Sequence, residues 1–138
     1  MKEKVELSSN GNRKRDMAEL TTTNGTQYIF TPAAIVAVSD RDQTCILGLT
    51  AGVIQIGEPV ATFLQRIGNP ANFVRFQQGG GKFLWVRATA VSLIRPPLPH
   101  EWVETARTMV FIGSVSQGVL EDPNAVRAAI NAVAPNHL

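Results

Sequence analysis

The chain has few of the residues that chemistry needs. Its 138 residues include one cysteine and two histidines, and each shortage excludes something. The single thiol, Cys45, rules out an intrachain disulfide. It sits in the apolar run Cys45-Ile46-Leu47-Gly48-Leu49 with no histidine or cation adjacent in sequence to lower its pKa, so a buried, unreactive thiol is expected. Catalysis requires convergent acid, base or nucleophile groups, or a metal site. There is no Cys-x-x-Cys, no His-x-x-x-His and no metal-spaced carboxylate cluster, and the histidines are His100 and His137, the latter one residue from the end. No catalytic residue, metal or cofactor is expected, and the chain reads as a non-enzyme. Gly79-Gly80-Gly81-Lys82 lacks the spacing of a phosphate loop, and Phe83 follows the lysine where a hydroxyl is needed, so a hairpin turn is the better reading.

Long apolar runs are missing as well. None approaches the ~20 residues needed to span a bilayer. The opening residues, MKEKVELSSNGNRKRD, lack the apolar core of a secretory signal. A soluble, cytoplasmic protein without membrane contact is expected. The net charge of +2 is too small for strong non-specific attraction to nucleic acid, which makes nucleic acid the least favoured partner.

What is present is ordinary for a globular chain, with 44% hydrophobic and 17% charged residues. The exception is residues 1–16, where Lys2, Lys4, Arg13, Lys14 and Arg15 stand against Glu3 and Glu6 with little apolar content. That basic leader is expected to be disordered, with the folded pattern beginning at Met17.

The organising feature is a repeat. Gly25 and Gly81 are separated by 56 residues, and the same spacing pairs Leu20 with Phe76, Phe30 with Val86, Ile35 with Val91 and Val38 with Ile94. Further on, Thr44 to Leu49 matches Thr108 to Gly113, Glu58 matches Glu121, and Phe63 and Ile67 match Val126 and Ile130. The offset there is 63 or 64, which requires an insertion in the second copy, and the proline-rich segment 95–104 is the place for it. Two copies of one supersecondary unit can bury against each other what neither buries alone. The expected fold is α+β, mainly β: two tandem antiparallel β units, residues 17–69 and 70–138, each ending in a short helix and sharing one core.

Local signals agree. Asn24-Gly25 reads as a two-residue hairpin turn, and Gly79-Gly80-Gly81 as its counterpart. Thr44–Thr50 and Thr108–Ile112 read as strands. Glu58-Pro59 and Asp122-Pro123 place an acid before proline at a helix start. Val60, Phe63, Leu64 and Ile67 share one helical face, as do Val126, Ala129, Ile130 and Val133. Gly68-Asn69-Pro70 stops the first helix. Glu58 and Glu121, equivalent in the two units, read as helix-start acids rather than a paired catalytic couple.

Residues 18 to 67, with Leu20, Asn24-Gly25, Tyr28, Phe30, Pro32, Ile35, Val38, Thr44, Ile46, Leu49, Gly52, Ile54, Ile56, Glu58, Val60, Phe63 and Ile67, resemble the small flagellar and swarming-motility family FlbD. The second unit shares the pattern loosely, without the Asn-Gly turn. The resemblance implies a fold built on turn glycines and core apolars, no enzymatic activity, and an association with flagellar operons. Similar repeats would equally suit a phage or plasmid accessory protein.

Two candidate sites remain. One is the insertion: Pro96, Pro97, Leu98, Pro99, His100 and Trp102 form a stiff loop near Trp85, suited either to partner contact or to covering a sheet edge. The other is the cationic set Arg75, Lys82, Arg87, Arg95 and Arg107, suited to an anion or to a solvated outer face. Three functions follow. The leading one is a non-catalytic protein-interaction or assembly module of a bacterium or phage, with a protein partner or self-association into a homo-oligomer. The second is capture of a small anionic ligand such as a nucleotide signal, of phage counter-defence type. The third is weak nucleic-acid binding.

Overall fold

The computed structural model describes residues 5–8, 17–21, 25–68, 71–101, 105–113 and 115–138, with the backbone alone for 5–8 and 17–21. The five leader cations, Asn24, Asn69, Pro70 and Trp102 lie outside the described residues. The chain divides into two compact units, Met1–Pro70 and Ala71–Leu138. It is α+β and mainly β, as the sequence pattern implies. No helix among the described residues is long and apolar enough to cross a membrane.

In the first unit, β1 (Val5–Ser8), β2 (Met17–Thr21) and β3 (Gln27–Phe30) form an antiparallel sheet in that order. A 3-10 turn, Pro32–Ala34, leads into the meander β4 (Ile35–Arg41), β5 (Thr44–Leu49) and β6 (Val53–Ile56), and α1 (Val60–Arg66) closes the unit. The second unit follows the same succession. The hairpin β7 (Phe73–Gln78) and β8 (Lys82–Arg87) is followed by a 3-10 turn, Ala88–Ala90, the meander β9 (Val91–Arg95), β10 (Thr108–Ile112) and β11 (Val115–Val119), and α2 (Pro123–Val133). The leader is therefore not wholly without structure. Val5 and Leu7 alternate in strand fashion, and β1 pairs with β2 through Val5↔Leu20 and Leu7↔Ala18, a backbone ladder that composition alone does not reveal.

Strand registers show how closely the units correspond. The β2–β3 pairing sets Thr21 against Gln27, and the β7–β8 pairing sets Gln78 against Lys82. Each register centres on a single residue, Asn24 and Gly80. The first loop is thus odd-numbered, not the two-residue turn that Asn24-Gly25 suggests. Glycine with positive φ at Gly25 (88°) and Gly81 (74°) supplies the left-handed residue that closes such a loop. Both meanders carry a bulge at the same point: the pairing skips Val36 between Ile35 and Ala37, and Ser92 between Val91 and Leu93. After the bulge, Cys45 opposes Ile56 and Thr108 opposes Val119. The offset is therefore 63, and Cys45, rather than Thr44, is the counterpart of Thr108.

Each unit has its own apolar centre. In the first, Ile35, Val38, Leu47, Ile56 and Phe63 are fully enclosed; in the second, Leu84, Val86, Val110, Val119, Val126 and Ile130 are. Cys45 is buried, as its apolar neighbours imply. Its counterpart Thr108 is equally buried, and its hydroxyl donates to the Glu121 carbonyl at 2.6 Å, which offsets the cost of enclosing a polar group. The inward face of α1 is as read from sequence, whereas Val133 of α2 is 37% exposed, because the helix has only one more turn to bury at that end.

The three-glycine loop gives a direct test. Gly80→Ala forces a side chain into left-handed backbone and should cost ~1–2 kcal/mol, while Gly52→Ala, whose added Cβ meets nothing within 4 Å, should leave stability unchanged. Urea denaturation of both variants checks this; equal stability would refute the loop geometry.

Candidate binding face

Strand alternation sorts the β7–β8 hairpin into two faces. Val74, Phe76, Leu84 and Val86 point into the unit and are buried. Phe73, Arg75 and Gln77 of β7 and Phe83, Trp85 and Arg87 of β8 point outward, in the cross-strand pairs Phe73↔Arg87, Arg75↔Trp85 and Gln77↔Phe83. On this outer face the Arg87 guanidinium lies over the Phe73 ring at 4.7 Å, and the Arg75 guanidinium over the Phe83 ring at 4.5 Å. Phe83 and Trp85 meet at a centroid distance of 5.9 Å, tilted by 59°. Stacking on a ring holds a guanidinium flat and leaves its N–H edge for an acceptor. Partial burial pushes the Arg87 pKa below its ordinary value.

The structure thus brings together three of the eight residues singled out in the sequence: Arg75, Trp85 and Arg87. Lys82 falls at the start of β8 opposite Gln78, on the other parity from them. His100 is exposed in the insertion, and Trp102 lies outside the described residues. Arg107, exposed, forms an ion pair with Asp122 at 3.6 Å.

Arg95 departs from its expected role as an anion receptor. Its two terminal nitrogens each donate to a Glu101 oxygen at 2.7 Å, and Nη1 also donates to the Pro96 carbonyl at 3.0 Å. The guanidinium stacks over Phe111 at 5.0 Å. Glu101 accepts a further bond from the Leu98 amide at 2.7 Å, and its own amide donates to the Leu98 carbonyl at 2.9 Å. This clamp folds the insertion back on the end of β9. The Arg95 bond, followed by the Leu98 N–H, holds the Glu101 carboxyl at about 2, well below its ordinary 4.5. The same bond raises the Arg95 pKa.

The helix-start reading of Glu121 also gives way. Asp122, not Glu121, caps α2, its Oδ1 accepting from the Ala125 amide at 2.8 Å. Glu121 instead accepts from the Gln77 amide on β7, at 3.0 and 3.2 Å to its two oxygens, and the Leu120 amide donates to the Gln77 carbonyl at 2.9 Å. Gln78 Nε2 adds bonds to Gln117 Oε1 and the Gly118 carbonyl. Its counterpart Glu58, 7% exposed, pairs with Arg66 Nε at 3.4 Å. The two glutamates are structural ties, and each belongs to its own unit.

One signal for this face is in the sequence. Between Glu58 and Glu101 there is no Asp or Glu, while Arg66, Arg75, Lys82, Arg87 and Arg95 fall in that stretch. The corresponding outward positions of the first unit, 56 residues earlier, are Met17, Glu19, Thr21, Gln27, Ile29 and Thr31, with no arginine and no aromatic ring. In the first unit a different feature stands out: an open cleft of about 350 Å³ lined by Tyr28, Ile29, Phe30, Leu49, Val53 and Ile54, with no charged group among them. No family model, no curated protein and no solved structure matches the chain.

The clamp has a definite acid response. A carboxyl with its folded pKa depressed contributes stability that is fully present above about pH 4.5 and is lost as pH falls toward about 2. The Glu101 side-chain carbon signal in NMR should titrate at about 2. Glu101→Gln should speed hydrogen exchange at the Leu98 amide while leaving the β7 and β8 amides unchanged; an ordinary midpoint near 4.5 would refute the clamp.

Proposed function

We propose that the chain is a non-catalytic protein-interaction module that holds its partner on the outer face of the β7–β8 hairpin, as an accessory protein of a bacterium or phage. The observation that carries this reading is the ladder of two guanidiniums stacked on phenyl rings beside Trp85. Trp, Phe and Arg are the residues that concentrate binding energy at protein interfaces, because they offer large rigid surface and directed donors at low entropy cost. The face is open rather than concave, which suits a macromolecule better than an enclosed small ligand. The first unit keeps the same framework without these groups. The resemblance of residues 18 to 67 to FlbD, a family without known enzymatic activity, fits an assembly role, and a second copy of the chain is one candidate partner.

A second reading, capture of an anionic ligand such as a nucleotide, is favoured by one detail. Arg75 sits in register opposite Trp85, and no guanidinium stacks on that indole among the described residues. A base on the indole and a phosphate on the guanidinium would be the corresponding pose.

Tagged chain should retain a partner from cells of its source, and Trp85→Ala combined with Arg75→Ala should abolish that capture with an unchanged melting temperature. Deleting residues 96–103 should weaken capture without abolishing it, since the face remains. Capture that survives the double substitution would remove the protein-binding reading from this face. For the second reading, nucleotides at a hundredfold excess over Kd should stabilise the fold by about 2.7 kcal/mol; no rise in Tm would eliminate it.

A further inference from the structure

The chain already contains a complete arginine receptor, and it shows what the β7–β8 face lacks. At Arg95 a guanidinium is stacked on a phenyl ring, Phe111, 5.0 Å away, and its fork is filled by the two oxygens of Glu101 at 2.7 Å each. Phe111 is the diagonal neighbour of Arg95, since the register pairs Leu93 with Phe111. Arg75 repeats the first half of this arrangement. It is stacked on Phe83, again its diagonal neighbour, at the shorter distance of 4.5 Å. The carboxylate half is missing: Arg66, Arg95 and Arg107 pair with Glu58, Glu101 and Asp122, whereas Arg75 has no such partner among the described residues. With no acid in the sequence between Glu58 and Glu101, the hairpin itself supplies none.

We propose that this face takes an extended acidic segment of a partner protein, its carboxylates on alternate residues received by Arg75 and Arg87 and its backbone crossing Trp85. The inference rests on the protein-binding reading and adds the chemistry of the partner. Spacing supports it. Arg75 and Arg87 are diagonal neighbours on the sheet, ~7–8 Å apart at their Cβ atoms, and residues i and i+2 of an extended strand are ~6.8 Å apart with both side chains on one side. An Asp/Glu-x-Asp/Glu segment laid along the hairpin therefore places one carboxylate at each guanidinium. Each can be held bidentately, as Glu101 holds Arg95. A nucleic-acid strand fits less well. Sequence-tolerant strand binding stacks successive bases on uncovered rings, and here the Phe73 and Phe83 rings are already covered by guanidiniums.

The test uses the full chain and three fluorescein-labelled probes in anisotropy titrations: a nine-residue peptide alternating glutamate and serine, its glutamine-serine equivalent, and a ten-nucleotide oligothymidylate. The glutamate peptide should bind, its glutamine equivalent should bind about tenfold more weakly or worse, and binding should weaken with added salt. Arg75→Gln should lose about tenfold in affinity, and Arg75→Lys a similar amount, because an ammonium neither forks nor stacks in the same way. Arg75 is exposed, so both variants should melt as the parent does. Failure of the glutamate peptide to bind, equal binding of the two peptides, an unchanged affinity in Arg75→Gln, or tenfold tighter binding of oligothymidylate would each overturn the proposal. The two levels separate cleanly. If both peptides bind equally and Trp85→Ala abolishes both, the protein-binding reading stands and the acidic requirement falls; if partner capture survives the double substitution described above, the reading itself falls.

Discussion

The structure depends on strand register. In the β7–β8 hairpin every even-numbered apolar residue from Val74 to Val86 faces the interior, and this parity is set by a loop centred on Gly80. A slip of one residue would drive Arg75, Trp85 and Arg87 into the core and turn Phe76 and Leu84 out to water. Burial of those apolar side chains, at ~1.5–3 kcal/mol each, makes such a slip prohibitive. The outer face is thus aimed by the inner one. A binding surface assembled this way needs no dedicated scaffold beyond the hairpin that displays it.

The same reasoning accounts for where the two units agree and where they differ. Inward positions keep their character across the repeat: Leu20 with Phe76, Phe30 with Val86, Ile35 with Val91, Ile56 with Val119. Truncating one of these in a core costs several kcal/mol, whereas outward substitutions are mostly within ~0.5 kcal/mol. Outward positions are consequently free to diverge, and they have: Met17, Glu19 and Ile29 stand where the second unit has Phe73, Arg75 and Trp85. Framework and recognition surface occupy alternate residues of the same strands.

Much of the framework is legible in the sequence because periodicity and turn glycines report local geometry. The 56-residue spacing, the strands around Thr44 and Thr108, and the two helices follow from those signals alone. Loop length does not, since Asn24-Gly25 suits both a two-residue turn and the odd-numbered loop that the register shows. The site was half legible. Arg75, Trp85 and Arg87 stand out by composition, but their common face needs the register to place them. Glu121 was misassigned for a different reason: its bond runs to the Gln77 amide, 44 residues away in sequence, and a local helix-start rule has no access to such a contact. Arg95 was misread likewise, because its fork is filled from within the insertion by Glu101.

The tie at Gln77 bears on solubility as well as shape. Outer strands of sheets are the usual templates on which foreign chains polymerise, since their amides and carbonyls invite one more strand. At Gln77 both groups are already engaged, the amide by the Glu121 carboxylate and the carbonyl by Leu120. That blunts β7 at this point as a nucleus for runaway self-templating, and it lets a sticky aromatic surface be displayed without the hairpin behind it seeding fibrils.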